Sequence, residues 1–279
     1  MNESPWNHTK ILSLMLESGA LAMSYFQKAR IEVKDDNSLV TEADLAVEQL
    51  IRDHLDRPDA GVYVIGEESI NERSADYVNQ AMMGKTFVVD PIDGTHNYAN
   101  GLEMWGVSMG YMEEGILKDG AIFMPVFGEL FITSGDQVLL YKVCRGVLSE
   151  AEILEKPVHK SPLKSILSVT QKVAKRGVVN SSVCVHAVGV AVYPICNLLR
   201  GRYTAYIGKL KLWDVAGGIP MMKRLGLEIT LMNGTSIGCE VNATIYRVNP
   251  DEDRRFAMLD EVVFCHSGDF SQWRDAIQR

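Results

Sequence analysis

The sequence contains few cysteines, and their spacing excludes the common metal-binding and redox motifs. Among 279 residues there are five cysteines, an odd number, with no Cys-x-x-Cys pair. We therefore expect buried, reduced thiols and not a disulfide framework. The cysteines are Cys144, Cys184, Cys196, Cys239 and Cys265.

Long apolar runs and blocks of basic residues are also missing. No apolar stretch approaches the length of a membrane span, and the first residues lack the basic region, apolar run and cleavage site of a secretory signal. The net charge is −8, from 28 basic and 36 acidic residues. We therefore expect neither nucleic acid nor a membrane as a partner, and we predict a cytoplasmic protein.

The most informative feature that is present is an acidic turn at the end of a predicted strand. A run of β-forming residues, 86–89, leads into Asp90, and Asp93, Gly94 and Thr95 follow after a Pro-Ile pair. Two carboxylates at one strand end repel each other unless a cation lies between them, and Mg²⁺ prefers oxygen ligands. The Gly-Thr pair offers backbone amides and a hydroxyl to an anion. The segment therefore predicts a site for phosphoryl chemistry.

The rest of the chain alternates between helical and strand patterns, which predicts an α+β fold. We expect a first helix starting at Ser4-Pro5, a second helix capped by the segment 41–44, and a helix opened by Asp214. A polar stretch from Cys144 to Pro162 separates two predicted units. These are an N-terminal half, 1–145, with most candidate metal ligands, and a C-terminal half, 146–279, that contributes Asp214.

Further acidic residues stand at the ends of predicted elements. They are Asp44, Glu67 and Asp214, in addition to the Asp90/Asp93 pair. Taken singly, each of the three is better explained as a helix cap or a solvated turn residue. The order of strand, acid, turn, acid and anion-binding turn around Asp90 is harder to explain by turn chemistry alone.

Four segments together resemble the successive signatures of the inositol monophosphatase family. These segments are Leu39-Val-Thr-Glu-Ala-Asp44, Gly66-Glu-Glu-Ser69, Asp90-Pro-Ile-Asp-Gly-Thr95 and Trp213-Asp-Val-Ala-Gly217. The resemblance implies a layered α-β-α-β-α sandwich of the sugar-phosphatase type, often a homodimer. It also implies a Mg²⁺-dependent phosphate monoesterase that is inhibited by Li⁺.

The resemblance also assigns expected roles to particular residues. Glu67, Asp90 and the carbonyl of Ile92 would hold one metal ion, and Asp90, Asp93 and Asp214 a second. Glu67 would also touch a weaker third ion. The expected catalytic residues are Glu67, Thr95 and Asp44, with Thr95 oriented by Asp44 to help position the attacking water. The expected substrate-binding residues are Asp93, Gly94, Thr95, Gly189 and Ile207.

Departures from the family pattern leave the substrate open. Family members that select inositol carry an acidic residue where Ile207 stands, and isoleucine cannot accept a hydrogen bond from a hydroxyl. Lys209 and Lys211 could meet a second anion or could simply face water, and His96 is expected on a helix surface. The main prediction is hydrolysis of a small phosphorylated metabolite, with inositol 1-phosphate not the best substrate. The alternatives are a bisphosphate or 3′-phosphoadenosine nucleotide phosphatase, and a non-catalytic regulator that binds a phosphorylated metabolite.

Overall fold

The protein is described here by a computed structural model covering residues 4–34, 39–158, 164–176, 178–249 and 255–278. Side chains cap the starts of three helices: Asn7 caps the first, Thr41 and Asp44 form a capping box at the second, and Ser74 caps the third. Such caps pair backbone amides that have no partner within the helix. The described helices are His8–Tyr25 (α1), Glu42–Leu55 (α2), Ala75–Met83 (α3), Thr95–Ala99 (α4), Gln171–Arg176 (α5), Val192–Leu199 (α6), Leu212–Ala216 (α7), Ile219–Arg224 (α8) and Phe270–Asp275 (α9).

Strands from the first part of the chain form a short pair and one large sheet. These strands are Ile31–Val33 (β1), Leu39–Thr41 (β2), Val62–Gly66 (β3), Lys85–Asp93 (β4), Gly106–Glu113 (β5), Ile116–Met124 (β6), Glu129–Ser134 (β7), Gln137–Cys144 (β8), Val147–Leu148 (β9) and Glu152–Ile153 (β10). β1 pairs with β2, and the large sheet has the order β10-β8-β7-β6-β5-β4-β3, with β9 attached to β8. Its strands are antiparallel except for the parallel pair β3–β4.

The second part of the chain forms a smaller, mixed sheet. The strands of this part of the chain are Ile166–Val169 (β11), Val178–Val179 (β12), Cys184–His186 (β13), Ala205–Gly208 (β14), Leu227–Leu231 (β15), Val262–His266 (β16) and Ile277–Gln278 (β17). The order of the five-stranded sheet is β13-β11-β14-β16-β15, and β12 pairs separately with β17.

The two sheets and the helices stack in alternating layers. Along β4, Phe87 and Val89 pack in the apolar cluster formed with α1 and α2, whereas Val88 lies in the cluster on the opposite face with α6, α7 and α8. This alternation follows from the two-residue period of a strand. Beyond the smaller sheet, Val173 of α5 and Trp273 of α9 pack in a third cluster. The predicted α-β-α-β-α layering is thus confirmed.

Several predicted element boundaries were wrong. The first helix does not start at Ser4-Pro5, because the side chain of Asn7 accepts the Lys10 amide and places the cap there. Asp214 does not open a helix over 215–225. It lies inside α7, where it accepts the backbone amide of Lys211, and a second short helix, α8, follows.

The prediction of buried thiols was right for only part of the set. Cys196 and Cys265 are buried and Cys239 is partly buried, but Cys144 and Cys184 are exposed. Cys144 ends β8 beside the turn to β9, and Cys184 begins β13 at the edge of the smaller sheet. Side chains at such positions have few neighbours to cover them. Within the described ranges, no helix combines the length and the apolar character needed to cross a bilayer.

Candidate active site

A bulge at the end of β4 brings Asp90 and Asp93 to one place. Asp90 pairs with Ser108 and Asp93 pairs with Gly106, so three steps along β4 match two steps along β5. The extra residue breaks the alternation of side chains between the two faces of the sheet. Asp93 can therefore approach Asp90, although a regular strand would direct the two side chains to opposite faces.

Close packing of α7 on the large sheet adds Asp214 to this pair. A Cβ atom on Gly110 of β5 would lie 2.6 Å from the backbone of Ala216, so only glycine permits this approach. The Ser108 hydroxyl donates to the Trp213 carbonyl at 3.4 Å from the same sheet. These contacts hold α7 against β5, the strand that pairs with the bulge of β4.

The result is a cluster of three carboxylates that we call the acidic cluster: Asp90, Asp93 and Asp214. One carboxylate oxygen from each residue lies within 4.8 Å of the other two. Asp90 and Asp93 are buried, and Asp214 is partly buried. Within the described part of the chain, Asp90 Oδ1 has no hydrogen-bond partner. A buried anionic oxygen without a donor is expensive unless a cation satisfies it.

The pKa values of the three carboxyls in the acidic cluster are raised because they are buried and lie close to other negatively charged carboxylates. Burial is the main cause for each carboxyl, and the neighbouring carboxylates add to it. The pKa of Asp214 rises to about 7, opposed by the amide and the ammonium of Lys211. The pKa of Asp93 rises against two backbone donors, the amide of Ala191 at 2.8 Å and that of Val192. Without a cation, the cluster therefore holds protons near neutral pH.

Glu67 lies at the edge of the acidic cluster. β3 runs parallel to β4 with Gly66 opposite Val89, which places Glu67 beside Asp90 at the strand ends. Its charge raises the pKa of Asp90, second only to burial. Glu67 Oε1 lies 3.4 Å from the Lys211 ammonium, which also lies over the Trp213 ring at 5.0 Å. Among the described residues, Glu67 is not part of the close group of three.

Thr95 and Asp44 contact each other next to the bulge, a contact that the family resemblance implies. The Thr95 hydroxyl lies 3.3 Å from Asp44 Oδ1 and 3.1 Å from the Ile92 carbonyl. Asp44 is buried, and its Oδ2 accepts from the amide and the hydroxyl of Thr41 at 2.8 and 2.5 Å. Burial raises the pKa of Asp44 to about 6, although these donors oppose the rise.

The turn after Asp93 depends on glycine. Gly94 has φ 93°, in the left-handed region, and a Cβ atom there would lie 3.0 Å from the Met104 carbonyl. Asn97, which the sequence reasoning missed, donates from its side chain to the carbonyls of Met104 at 2.8 Å and Val188 at 2.9 Å. It thereby ties the turn to the loop that carries Gly189, which also has a positive φ of 72°.

Ile207 does not line the site, which corrects the prediction that it contacts substrate. Its side chain is fully buried in the third apolar cluster, together with Val263. Its neighbour Tyr206 is directed to the opposite face of β14. Burial is the main cause of the raised pKa of Tyr206, and the charges of Asp93 and Asp214 raise it further. Tyr206 is also buried, in the apolar cluster that contains residues of α6, α7 and α8.

The remaining candidate residues have separate surroundings. Lys209 donates to the Leu259 carbonyl at 2.9 Å, whereas Lys211 contacts Glu67. His96 is exposed on α4, which confirms its predicted surface position.

Comparison with known proteins agrees with this arrangement of elements and acids. The sequence matches the model of the inositol monophosphatase family over residues 8–268. The chain belongs to the inositol monophosphatase family. Members of this family are phosphoric monoester hydrolases, and the chain is an enzyme of that class.

Individual relatives differ in the activity that their names record. An inositol-1-monophosphatase from Bacillus subtilis is 27% identical over 248 residues, which cover 84% of this chain and 88% of that protein. A histidinol-phosphatase from Chlorobaculum parvum is 35% identical over 124 residues, but the match covers only 43% of this chain and 44% of that protein. The fold is similar to that of a solved Thermotoga maritima IMPase, with a TM-score of 0.72, 19% identity and coverage of 96% and 95% of the two chains. The family is therefore shown, and the substrate is not fixed by the relatives.

Proposed function

We propose that this protein hydrolyses a small phosphate monoester with Mg²⁺ as its cofactor. The observation that carries the proposal is the acidic cluster, in which oxygens of Asp90, Asp93 and Asp214 lie within 4.8 Å of one another. Three carboxylates at this spacing, two of them buried, need positive charge to remain ionised. Divalent ions supply this positive charge and can at the same time bind the negatively charged oxygens of a phosphoryl group.

The donor set fits Mg²⁺. All candidate ligand atoms are oxygens, and Asp90 Oδ1 has no other partner among the described residues. We assign Glu67, Asp90 and the carbonyl of Ile92 to one ion, and Asp90, Asp93 and Asp214 to a second. When bound, Mg²⁺ neutralises negative charge on the phosphoryl group and makes water a stronger nucleophile at neutral pH.

The protein side chains would orient the attacking water and the phosphoryl group. Thr95 can accept a hydrogen bond from water while its own hydroxyl donates to Asp44, 3.3 Å away. The ionised form of Asp44, with a pKa of about 6, is available at neutral pH as this acceptor. Gly94 and Thr95 are only partly buried, and their backbone amides are assigned to phosphate oxygens. Phosphoryl transfer depends mainly on such positioning and charge neutralisation.

The substrate side of the site argues against a polyol as the preferred leaving group. Where family members that select inositol carry an acidic residue, this chain has Ile207, which is buried in the core. Isoleucine offers no acceptor to a hydroxyl, whereas a carboxylate could accept from two neighbouring sugar hydroxyls. We therefore propose that inositol 1-phosphate is not the best substrate.

The bisphosphate alternative has less support. It requires an ammonium group that contacts a second phosphate, yet Lys209 contacts a backbone carbonyl and Lys211 contacts Glu67. The regulator alternative would be favoured by a missing carboxylate, and each expected acidic residue is present in the sequence.

A substrate panel tests the proposal. Phosphate release would be measured with Mg²⁺ for inositol phosphates, sugar phosphates and 3′-phosphoadenosine nucleotides, with and without Li⁺. We expect Mg²⁺-dependent release that Li⁺ reduces, with a sugar phosphate or related monoester turned over faster than inositol 1-phosphate. Preference for inositol 1-phosphate would refute the substrate proposal, and absence of release from every compound would favour a binding protein. Light scattering of the same sample would test the homodimer that the family resemblance implies.

A further inference from the structure

A buried glutamate outside the acidic cluster holds the loop that carries Glu67. This residue is Glu48, in the middle of α2, with only 2% of its surface exposed. A carboxylate at such a position is costly unless donors satisfy both of its oxygens. Its partners therefore indicate what it does in the folded protein.

Both partners of Glu48 are backbone amides directly after Glu67. Glu48 Oε2 accepts from the amide of Glu68 at 2.8 Å, and Oε1 accepts from the amide of Ser69 at 2.9 Å. These residues follow β3 and belong to the turn that ends it. One carboxylate thus fixes two successive peptide groups of this turn, and hydrogen bonds to a charged acceptor are the stronger kind.

Gly66 provides the space for this carboxylate. A Cβ atom on Gly66 would lie 2.2 Å from Cδ of Glu48, a distance that no real side chain tolerates. The conformation of Gly66 does not require glycine, because its φ is not positive. Its lack of a side chain is therefore explained by the approach of Glu48.

An ion pair also fixes the side chain of Glu68 in this turn. The Lys34 ammonium lies 2.5 Å from Glu68 Oε2, and the side chain of Glu68 is only 6% exposed. Glu48 from α2 and Lys34 after β1 therefore hold the residue that follows Glu67 through its amide and its side chain, respectively.

We propose that Glu48 is a positioning residue that sets the place of Glu67 beside Asp90, and hence the affinity of the site for Mg²⁺. This inference rests on the proposed function. Glu48 itself is not assigned to the ion: among the described residues it lies outside the close group of carboxylates, and its oxygens accept from the amides of Glu68 and Ser69.

Direct Mg²⁺ binding to the Glu48→Gln protein tests this inference. Glutamine keeps the size of the side chain, but its NH₂ group cannot accept from an amide, so one of the two contacts is lost. Isothermal titration calorimetry without substrate should show Mg²⁺ affinity reduced by about tenfold, because losing a hydrogen bond to the carboxylate frees the turn that places Glu67. The kcat at saturating Mg²⁺ should change less than the Mg²⁺ concentration needed for half activation.

Glu228→Gln is the matched control. Glu228 Oε2 also accepts a backbone amide, that of Gly268 at 2.8 Å, but in the smaller sheet and away from the carboxylates. This variant should bind Mg²⁺ like the wild type. A folded Glu48→Gln protein with wild-type Mg²⁺ affinity would overturn the inference, as would an equal loss in both variants.

Two further measurements separate the possible failures. If the wild-type protein and Asp90→Asn bind Mg²⁺ equally, the proposed function is refuted. If Asp90→Asn loses Mg²⁺ affinity but Glu48→Gln binds Mg²⁺ like the wild type, only this inference is refuted. If Glu48→Gln does not fold, amide hydrogen exchange in the wild type decides. The amides of Glu68 and Ser69 should exchange slowly, and rapid exchange would refute the role of Glu48.

Discussion

Replacing Asp90 by asparagine is expected to stabilise the metal-free protein and to abolish its stabilisation by Mg²⁺. The same substitution thus has opposite consequences under two conditions. Asp90 is 1% exposed, and its charge is close to those of Asp93 and Asp214. Asparagine has nearly the same shape and removes the charge, so little core volume changes.

The magnitude follows from the distances. For oxygens no more than 4.8 Å apart, each pair of charges repels by about 3.5 kcal/mol at an effective dielectric constant of roughly 20. Asp90 has two such neighbours, but raised pKa values mean that part of this repulsion is already relieved by bound protons. We therefore expect the free energy of unfolding at pH 8 to rise by about 2–4 kcal/mol, or roughly 4–8 °C in Tm for a chain of this size.

Thermal unfolding in EDTA and in Mg²⁺, monitored by circular dichroism, measures both effects. The wild type should gain stability when Mg²⁺ is added, because a ligand of the folded state stabilises it. Asp90→Asn should be the more stable protein in EDTA, should gain little from Mg²⁺ and should release no phosphate. Asp136→Asn, at an exposed turn, is the matched control and should behave like the wild type. A lower Tm of Asp90→Asn in EDTA together with an unchanged Mg²⁺ response would refute the reasoning.

Three further predictions test other parts of the site. First, the folded protein raises the pKa of Asp214 to about 7. The contribution of this carboxyl to the free energy of unfolding is therefore full near pH 4 and is lost as the pH rises through 7. In EDTA the protein should unfold more easily at pH 8 than at pH 5, and Mg²⁺ should reverse this trend. Second, Thr95→Val deletes the hydroxyl assigned to the attacking water, and kcat should fall about 100-fold or more with Mg²⁺ affinity unchanged by calorimetry. Third, Lys211→Met removes a positive charge 3.4 Å from Glu67 and should tighten Mg²⁺ binding by about three- to tenfold, while Lys209→Met should not.

Local sequence signals predicted the parts of the site that depend on neighbouring residues. The capping box at Thr41 and Asp44 and the strand that delivers Asp90 follow from residues close together in sequence. Capping and β-propensity act over a few residues, so a linear pattern contains them. The predicted contact between Thr95 and Asp44 came from the family resemblance and is present in the fold.

Features that depend on packing between distant segments were not predictable in the same way. Tyr206 and Ile207 project from opposite faces of β14 into two different apolar clusters, and a one-residue error in register exchanges these faces. The partners of Glu48 lie twenty and twenty-one residues further along the chain. Nothing in the local sequence around Glu48 distinguishes it from a solvated helix residue.

The division of the chain into two units, 1–145 and 146–279, stays a proposal. The large sheet continues to Ile153 and the smaller sheet begins at Ile166, while one apolar cluster contains residues from both. Such a shared core is expected of units that fold together.

The central claim is that the acidic cluster binds the divalent ions on which phosphate release depends. Crystals grown with Mn²⁺, which takes similar oxygen ligands and scatters anomalously, would locate the ions directly. The account predicts anomalous peaks between the carboxylates of Asp90, Asp93 and Asp214 and beside Glu67, at Mn²⁺ concentrations that support activity. Peaks confined to other sites under those conditions would contradict it.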